Sequence, residues 1–252
     1  MTGLMPLLKK EIMEQWRTYK LLIVGCIFLF FGLTTPLMLK YLPEILKLAG
    51  TSGMEIKIPP PTAIQSLAEF TGTIGQIGVF VAVLMAMGSI ANELRQGTAV
   101  ITLSKPVTRA AFVNAKLIAI STTFLVSLAA SSLLCYVYTV WLIGEADIMA
   151  FAGQNLLLGL FLIFCLATTL MFSSLFKSSL AAGGIAMAII VGQGVLSAIP
   201  RIGDFFPGRL LSWGNQLLAG AGNSYWPALA VTIVITAGSI LMAQRWLRHK
   251  DF

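Results

Sequence analysis

The chain has 252 residues, 57% of them hydrophobic and only 11% charged, with a formal net charge of +7. A water-soluble chain of this length needs far more polar surface, so composition excludes a soluble globule and points to an integral membrane protein. The basic excess does not mark a nucleic-acid binder, because the lysines and arginines stand between apolar runs and form no patch with interleaved aromatics.

Residues 1–20 place Leu4, Leu7, Leu8, Ile12 and Trp16 at helical spacing, with Lys9, Lys10, Glu11 and Glu14 on other faces. This predicts an amphipathic helix lying in the headgroup layer with Trp16 as its anchor. A first span follows over about 21–41, and Pro36 is expected to kink or end it. No cleavable leader is expected, since this run is long enough to span and no small-residue cleavage motif follows it.

Residues 42–73 read as the larger outer loop, punctuated by Pro43, Gly50, Gly53 and Pro59-Pro60-Pro61, with short helices expected at 43–48 and, capped by Thr62, at 62–70. The second span covers about 74–92, where Gly78, Ala82 and Ala86 recur on one face. Such a stripe lets another helix approach closely, within the bundle or across a dimer interface. Residues 93–116 form a charged loop, and the third span, 117–143, is rich in hydroxyls from Ser121 to Thr139. These can satisfy themselves on carbonyls of the preceding turn, line a pathway, or serve helix contacts.

After an acidic turn holding Glu145 and Asp147, a fourth span is expected at 151–176 and a fifth at 180–199. The fifth carries a second small-residue stripe, Gly184, Ala188 and Gly192, and one amide, Gln193, suited to an interhelical hydrogen bond. Residues 200–225 form the second outer loop, with a short helix over 210–218, and the sixth span runs over 226–244 with Pro227 in its first turn. Cys26, Cys135 and Cys165 all fall inside spans at spacings that match no metal motif and read as packing residues.

The fold class is therefore an all-α membrane protein with six transmembrane helices in a single domain. Twelve basic residues fall in the amino-terminal segment, the 93–116 loop, the Lys177 turn and the carboxyl-terminal segment, against five in the other two long loops. By the positive-inside rule both termini and the 93–116 loop face the cytoplasm.

Chemistry-bearing groups are sparse. No Gly-x-x-x-x-Gly-Lys-Ser/Thr cradle for nucleotide phosphates occurs, the single histidine is His249, and the expected spans carry essentially no charge away from their ends. A membrane enzyme fares poorly, since Glu69 and the Asp204–Arg209 pair are the only outer-surface candidates and read as solvated loop charges. Energy for uphill transport must come from elsewhere.

The 93–116 loop is the informative stretch. Glu93 and Arg95 close the second span, Gly97 and Thr98 permit a turn and a cap, and Pro106 with Thr108 suggests a helix start leading through Arg109 to Lys116. Val100, Ile101 and Leu103 are apolar anchors for a groove on another protein, with charges at the rim. The same features suit a plain connector that only supplies positive charge.

The order Glu93, Gly97-Thr98, Pro106, Arg109, Lys116 resembles the first cytoplasmic loop of ABC-2 type transporter permeases. The amphipathic start, which resembles that family's elbow helix, and the six spans extend the likeness over essentially the whole chain. The resemblance implies the permease subunit of an ABC exporter that is not itself an enzyme and holds no cofactor, with ATP and Mg on a separate ABC ATPase. It implies a coupling site of Glu93, Arg95, Gly97, Thr98, Leu103, Lys105, Pro106, Arg109 and Lys116. It also implies two ATPase copies, a second permease chain (identical or not) and a prokaryotic plasma or inner membrane, and is compatible with an extracytoplasmic accessory protein. The alternative is a nucleotide-independent channel or carrier using the hydroxyl face of the third span.

Overall fold

The computed structural model describes residues 3–48, 60–98, 107–222 and 224–248. Among these, nine α-helices and no strand form: α1 Leu4–Arg17, α2 Lys20–Leu48, α3 Ala63–Met87, α4 Ala91–Gln96, α5 Arg109–Leu142, α6 Ile148–Leu175, α7 Ser179–Ser197, α8 Arg209–Leu218 and α9 Trp226–Arg248. A 3-10 turn, Gly203–Phe205, precedes α8. Six helical segments are long and apolar enough to cross a bilayer: α2, α3 with α4, α5, α6, α7 and α9. A crossing needs about 20 apolar residues.

Local chemistry sets the boundaries. Thr62, Thr108, Asp147 and Ser178 cap α3, α5, α6 and α7, each side-chain oxygen accepting from a backbone N–H of the first turn. Such caps satisfy donors that a helix start would otherwise leave bare. Thr18 and Tyr19 turn α1 sharply into α2: the Thr18 hydroxyl donates to the Glu14 carbonyl at 2.6 Å, and Tyr19 takes a left-handed φ of 57°.

Three helices run further than the sequence suggests. Pro36 and Pro43 lie inside α2 without ending it, so the expected 43–48 helix is its last part. The expected 62–70 helix is continuous with the second span, so α3 starts at Ala63 and not near 74. The expected helix start at Arg109 likewise runs unbroken into the third span, making α5 34 residues long, about 51 Å against a hydrocarbon core of about 30 Å.

The core is organised on α6, which packs against α3, α5, α7, α8 and α9, while α2 lies along α5 and α1 crosses onto α5 and α2. Gly32 permits the closest approach of α2 to α5, since a Cβ there would sit 2.7 Å from the Ser131 carbonyl oxygen. Phe28, Phe70, Phe112, Phe124 and Leu158 are among the fully buried side chains that fill the space between helices. Connectivity leaves two unlike ends. One gathers α1, α4, the start of α5, the α6–α7 turn and the end of α9; the other carries α8 and the starts of α3 and α9.

Candidate functional site

The first of these ends holds a buried ion cluster. Lys116, two turns into α5, is 2% exposed, and its Nζ donates to Glu11 Oε1 at 3.0 Å, Glu11 Oε2 at 3.2 Å and Glu93 Oε1 at 2.6 Å. The ammonium also lies 5.1 Å from the centre of the Phe112 ring. Lys10 reaches Glu11 at 3.8 Å and Lys20 reaches Glu14 at 3.3 Å, so three lysines stand against three glutamates. Glu11, Glu14 and Glu93 each place a carboxylate oxygen within 4.8 Å of the others, a spacing that could hold a cation. Lys116 supplies that cation from the chain itself. One side chain therefore ties α1, α4 and α5 together.

Glu11 departs from the sequence reading. Periodicity set it on a polar face of α1, yet it is 3% exposed and lies with Leu7 and Gln15 on the face turned to the protein. Met5, Ile12 and Trp16 point outward, with Trp16 71% exposed. A second apolar surface is thus left on α1 beside the one that packs, suited to headgroups and acyl chains.

Other links fix the same end. Arg109 Nη1 donates to the Leu247 carbonyl in the last turn of α9, and Gln244 Nε2 donates to Asn114 Oδ1 at 2.8 Å. The break between α3 and α4 is held by Ser173 of α6: its Oγ accepts from the backbone N–H groups of Ile90 and Ala91, both at 3.0 Å, and donates to the Met87 carbonyl at 2.8 Å. Sequence reasoning passed over Ser173 because a hydroxyl within a span ordinarily bonds its own helix. Its proximity to a helix break in another element leaves no mark in the sequence.

Of the coupling residues named from the sequence, Glu93, Arg109 and Lys116 enter these networks. Arg95, Gly97 and Thr98 are exposed; Gly97 closes α4 at a left-handed φ of 72°, and the Thr98 hydroxyl donates to the Glu93 carbonyl at 3.4 Å. Leu103, Lys105 and Pro106, with the anchors Val100 and Ile101, lie outside the described residues.

The two small-residue stripes separate. Ala82 and Ala86 are fully buried, and a Cβ on Gly78 would come within 2.9 Å of Leu162 and 3.5 Å of Phe28, so the α3 stripe packs against α6 and α2 of its own chain. Gly184, Ala188 and Gly192 on α7 are exposed, with nothing within 4 Å of a Cβ at either glycine. The hydroxyls of α5 divide between contacts with other helices and carbonyls of their own helix. Ser66 and Thr139 are 3.0 Å apart, Ser132 donates to Leu128 and to Asn155, and Thr123 donates to Ala119. Ser121 and Ser127 on the same helix are buried, and their Oγ atoms have no hydrogen-bond partner among the described residues.

At the opposite end neutral amides join the helices, beside an ion pair. Gln154 of α6 donates to Thr71 Oγ1 at 2.6 Å and Asn215 Oδ1 at 2.7 Å, linking α3 and α8. Its Oε1 has no partner among the described residues and borders a cavity of about 20 Å³, room for about one water. Gln193 accepts from the Gly208 N–H at 3.2 Å, so the amide expected to join helices holds the connection before α8. Arg209 pairs with Asp204 at 3.1 Å and stacks on Tyr225.

Six apolar crossings around a buried core, with charge gathered at one end, define a multi-pass helical membrane protein. The chain belongs to the ABC-2 family of transporter proteins: the family model described as "ABC-2 family transporter protein" matches residues 5–202, from the first turn of α1 past the end of α7. It is also similar to the "Uncharacterized transmembrane protein YxlG" of Bacillus subtilis (strain 168), with 31% identity over 222 residues, covering 86% of each chain. It is thus a membrane transporter permease of that family, the membrane component and not the catalytic one.

Proposed function

We propose that this permease is the membrane half of an ATP-driven exporter, moved by a separate ABC ATPase that engages residues 93–116. The observation that carries the reading is the Lys116 cluster. Glu93 and Lys116, at the two ends of the segment, are ion-paired to one another, Lys116 pairs also with Glu11 of α1, and Arg109 within the segment bonds the last turn of α9. A partner pushing on this segment acts on α1, α3 with α4, α5 and α9 together, which is what a transmission point requires. A connector that only bridges two spans needs none of these bonds.

ATP and Mg²⁺ belong to the ATPase on this reading, because the sequence has no phosphate cradle to hold them. Two ATPase copies serve two permease chains, and the exposed α7 stripe offers one face for the second chain. The Lys116 end faces the cytoplasm of a prokaryotic cell, across its plasma or inner membrane, in agreement with the distribution of basic residues.

Copurification of the full chain with the ATPase encoded beside it, with and without deletion of residues 94–105, tests the proposal. The deletion is expected to abolish association and stimulated ATP hydrolysis while the permease remains monodisperse. Unchanged association and hydrolysis would overturn it.

A further inference from the structure

The extension of α3 to Ala63 moves Glu69 out of a loop and into a membrane-crossing helix. Glu69 lies two turns into α3 and is exposed, with no cation within salt-bridge distance among the described residues. It borders a groove of about 290 Å³ between α2 and α3. An ionisable side chain inside a crossing segment, with no partner among the described residues, marks a functional-site candidate.

The groove has a definite chemical character. Its α2 wall is apolar, formed by Phe31, Met38, Leu39 and Leu42, which recur on one helix face over about 16 Å of rise. Glu69 joins the hydroxyls of Thr34 and Thr73 as the polar part of the lining. Pro43 has no N–H, which leaves the carbonyl of Leu39, also in the lining, without its helical donor. The polar part thus offers acceptors and one negative charge, and no lysine or arginine lines the groove among the described residues. From the Lys20 end of α2, Thr35 stands about 22 Å along the helix and Leu42 about 33 Å. The groove therefore spans the upper hydrocarbon and the headgroup boundary of a core about 30 Å thick.

We propose that this groove binds a cationic amphiphile, an apolar molecule bearing an ammonium group, with Glu69 as its counter-ion and the α2 wall against its apolar part. A zwitterionic phospholipid fits less well, because its phosphate finds no cation among the described residues of the lining. The pairing satisfies a carboxylate at the headgroup boundary and fills an open apolar cleft in one event. As the cargo class of the permease the assignment rests on the transport reading above; as a binding site it does not.

The test uses the full chain without ATPase in phosphatidylcholine nanodiscs, titrated with dansylcadaverine, an apolar fluorophore ending in a primary ammonium. Saturable binding is expected, weakened at least tenfold by Glu69→Gln and largely kept by Glu69→Asp. The analogue ending in a carboxylate should not bind saturably. Thr34→Trp, which narrows the groove and keeps the charge, should also abolish binding, and covers the case in which Glu69→Gln fails to fold. Equal affinity in wild type and Glu69→Gln, or equal binding of the carboxylate analogue, would overturn the site. Displacement of the probe by phosphatidylethanolamine in the disc would overturn the choice of occupant. Deletion of residues 94–105 should leave the titration unchanged, so failure here is separable from failure of the coupling reading.

Discussion

Replacing Lys116 with methionine keeps the length of the stem over Phe112 and removes the charge. At an effective dielectric constant of about 20, contacts of 3.0 and 2.6 Å correspond to about 5 and about 6 kcal/mol of attraction before desolvation is counted. With the ammonium gone, carboxylate oxygens of Glu11 and Glu93 remain within 4.8 Å and repel by about 3 kcal/mol or more on the same scale. Since burying the lysine was itself costly, the net loss is about 3–5 kcal/mol, the usual cost of stranding one partner of a buried ion pair. In a chain of this length that lowers the melting temperature by on the order of 10 °C. It also loosens α1 first, because α1 reaches this cluster through Glu11. Thermal unfolding in detergent, with hydrogen exchange of the α1 amides, reads both effects. Adding Glu11→Gln and Glu93→Gln to Lys116→Met should recover more than half of the loss, since no stranded charge then remains. A single variant that melts within 2 °C of wild type (a loss of under about 1 kcal/mol) with α1 protection intact would refute the argument.

The glycines give opposite expectations from similar chemistry. Gly32→Ala drives a Cβ to 2.7 Å from the Ser131 carbonyl, a backbone atom that cannot rotate away, and should cost about 1–3 kcal/mol in detergent melts. Gly184→Leu and Gly192→Leu meet open space within the chain and should leave the melt unchanged, while reducing chain-to-chain cross-linking if α7 meets a second copy. Ser173→Ala removes one acceptor and one donor from the α3–α4 break, and the buried amides of Ile90 and Ala91 should exchange faster by the equivalent of about 1–3 kcal/mol. Unaltered exchange at those two amides would show that the break is held by something else.

How far the sequence could be read follows from which interactions are local. Thr62 and Thr108 were legible as caps because a cap is made with a residue three positions on. Six crossings were legible because hydropathy is a property of a contiguous stretch. The length of α3 was not, since Gln65, Ser66 and Glu69 read as a short separate helix of the outer loop until Ser66 is seen to meet Thr139, and Thr71 to meet Gln154. Pro36 was overrated as a terminator. A proline removes one donor and crowds one carbonyl, and a helix packed along its length against α5 tolerates that loss. Glu11 was misplaced for the same reason as α3: its partner is 105 positions away, and helical periodicity reports only that the residue is polar. Among the site residues, the motif spacing drew attention to Glu93, Arg109 and Lys116, but the bonds they make could not be inferred from it.

The two ends of the bundle are held by bonds of unequal strength, and that inequality sets an order of events. At the Lys116 end, charged groups buried together cost about 3–5 kcal/mol to strand, and they join α1, α4 and α5 at one atom. At the far end, α8 is tied to α6 by the amide pair Gln154–Asn215 and to α9 by the ring contact of Trp213 with Trp226, and a neutral hydrogen bond contributes only about 0.5–1.5 kcal/mol. Work delivered through residues 93–116 should therefore move the ion-linked helices as a block and yield first where the bonds are neutral. On the coupling proposal, engagement of the ATPase should raise hydrogen exchange in α8 before it changes α1, and Gln154→Leu should raise α8 exchange without any partner. Loss of α1 protection ahead of α8 would reverse the order and show that the ion cluster, and not the amide, is the element that gives way.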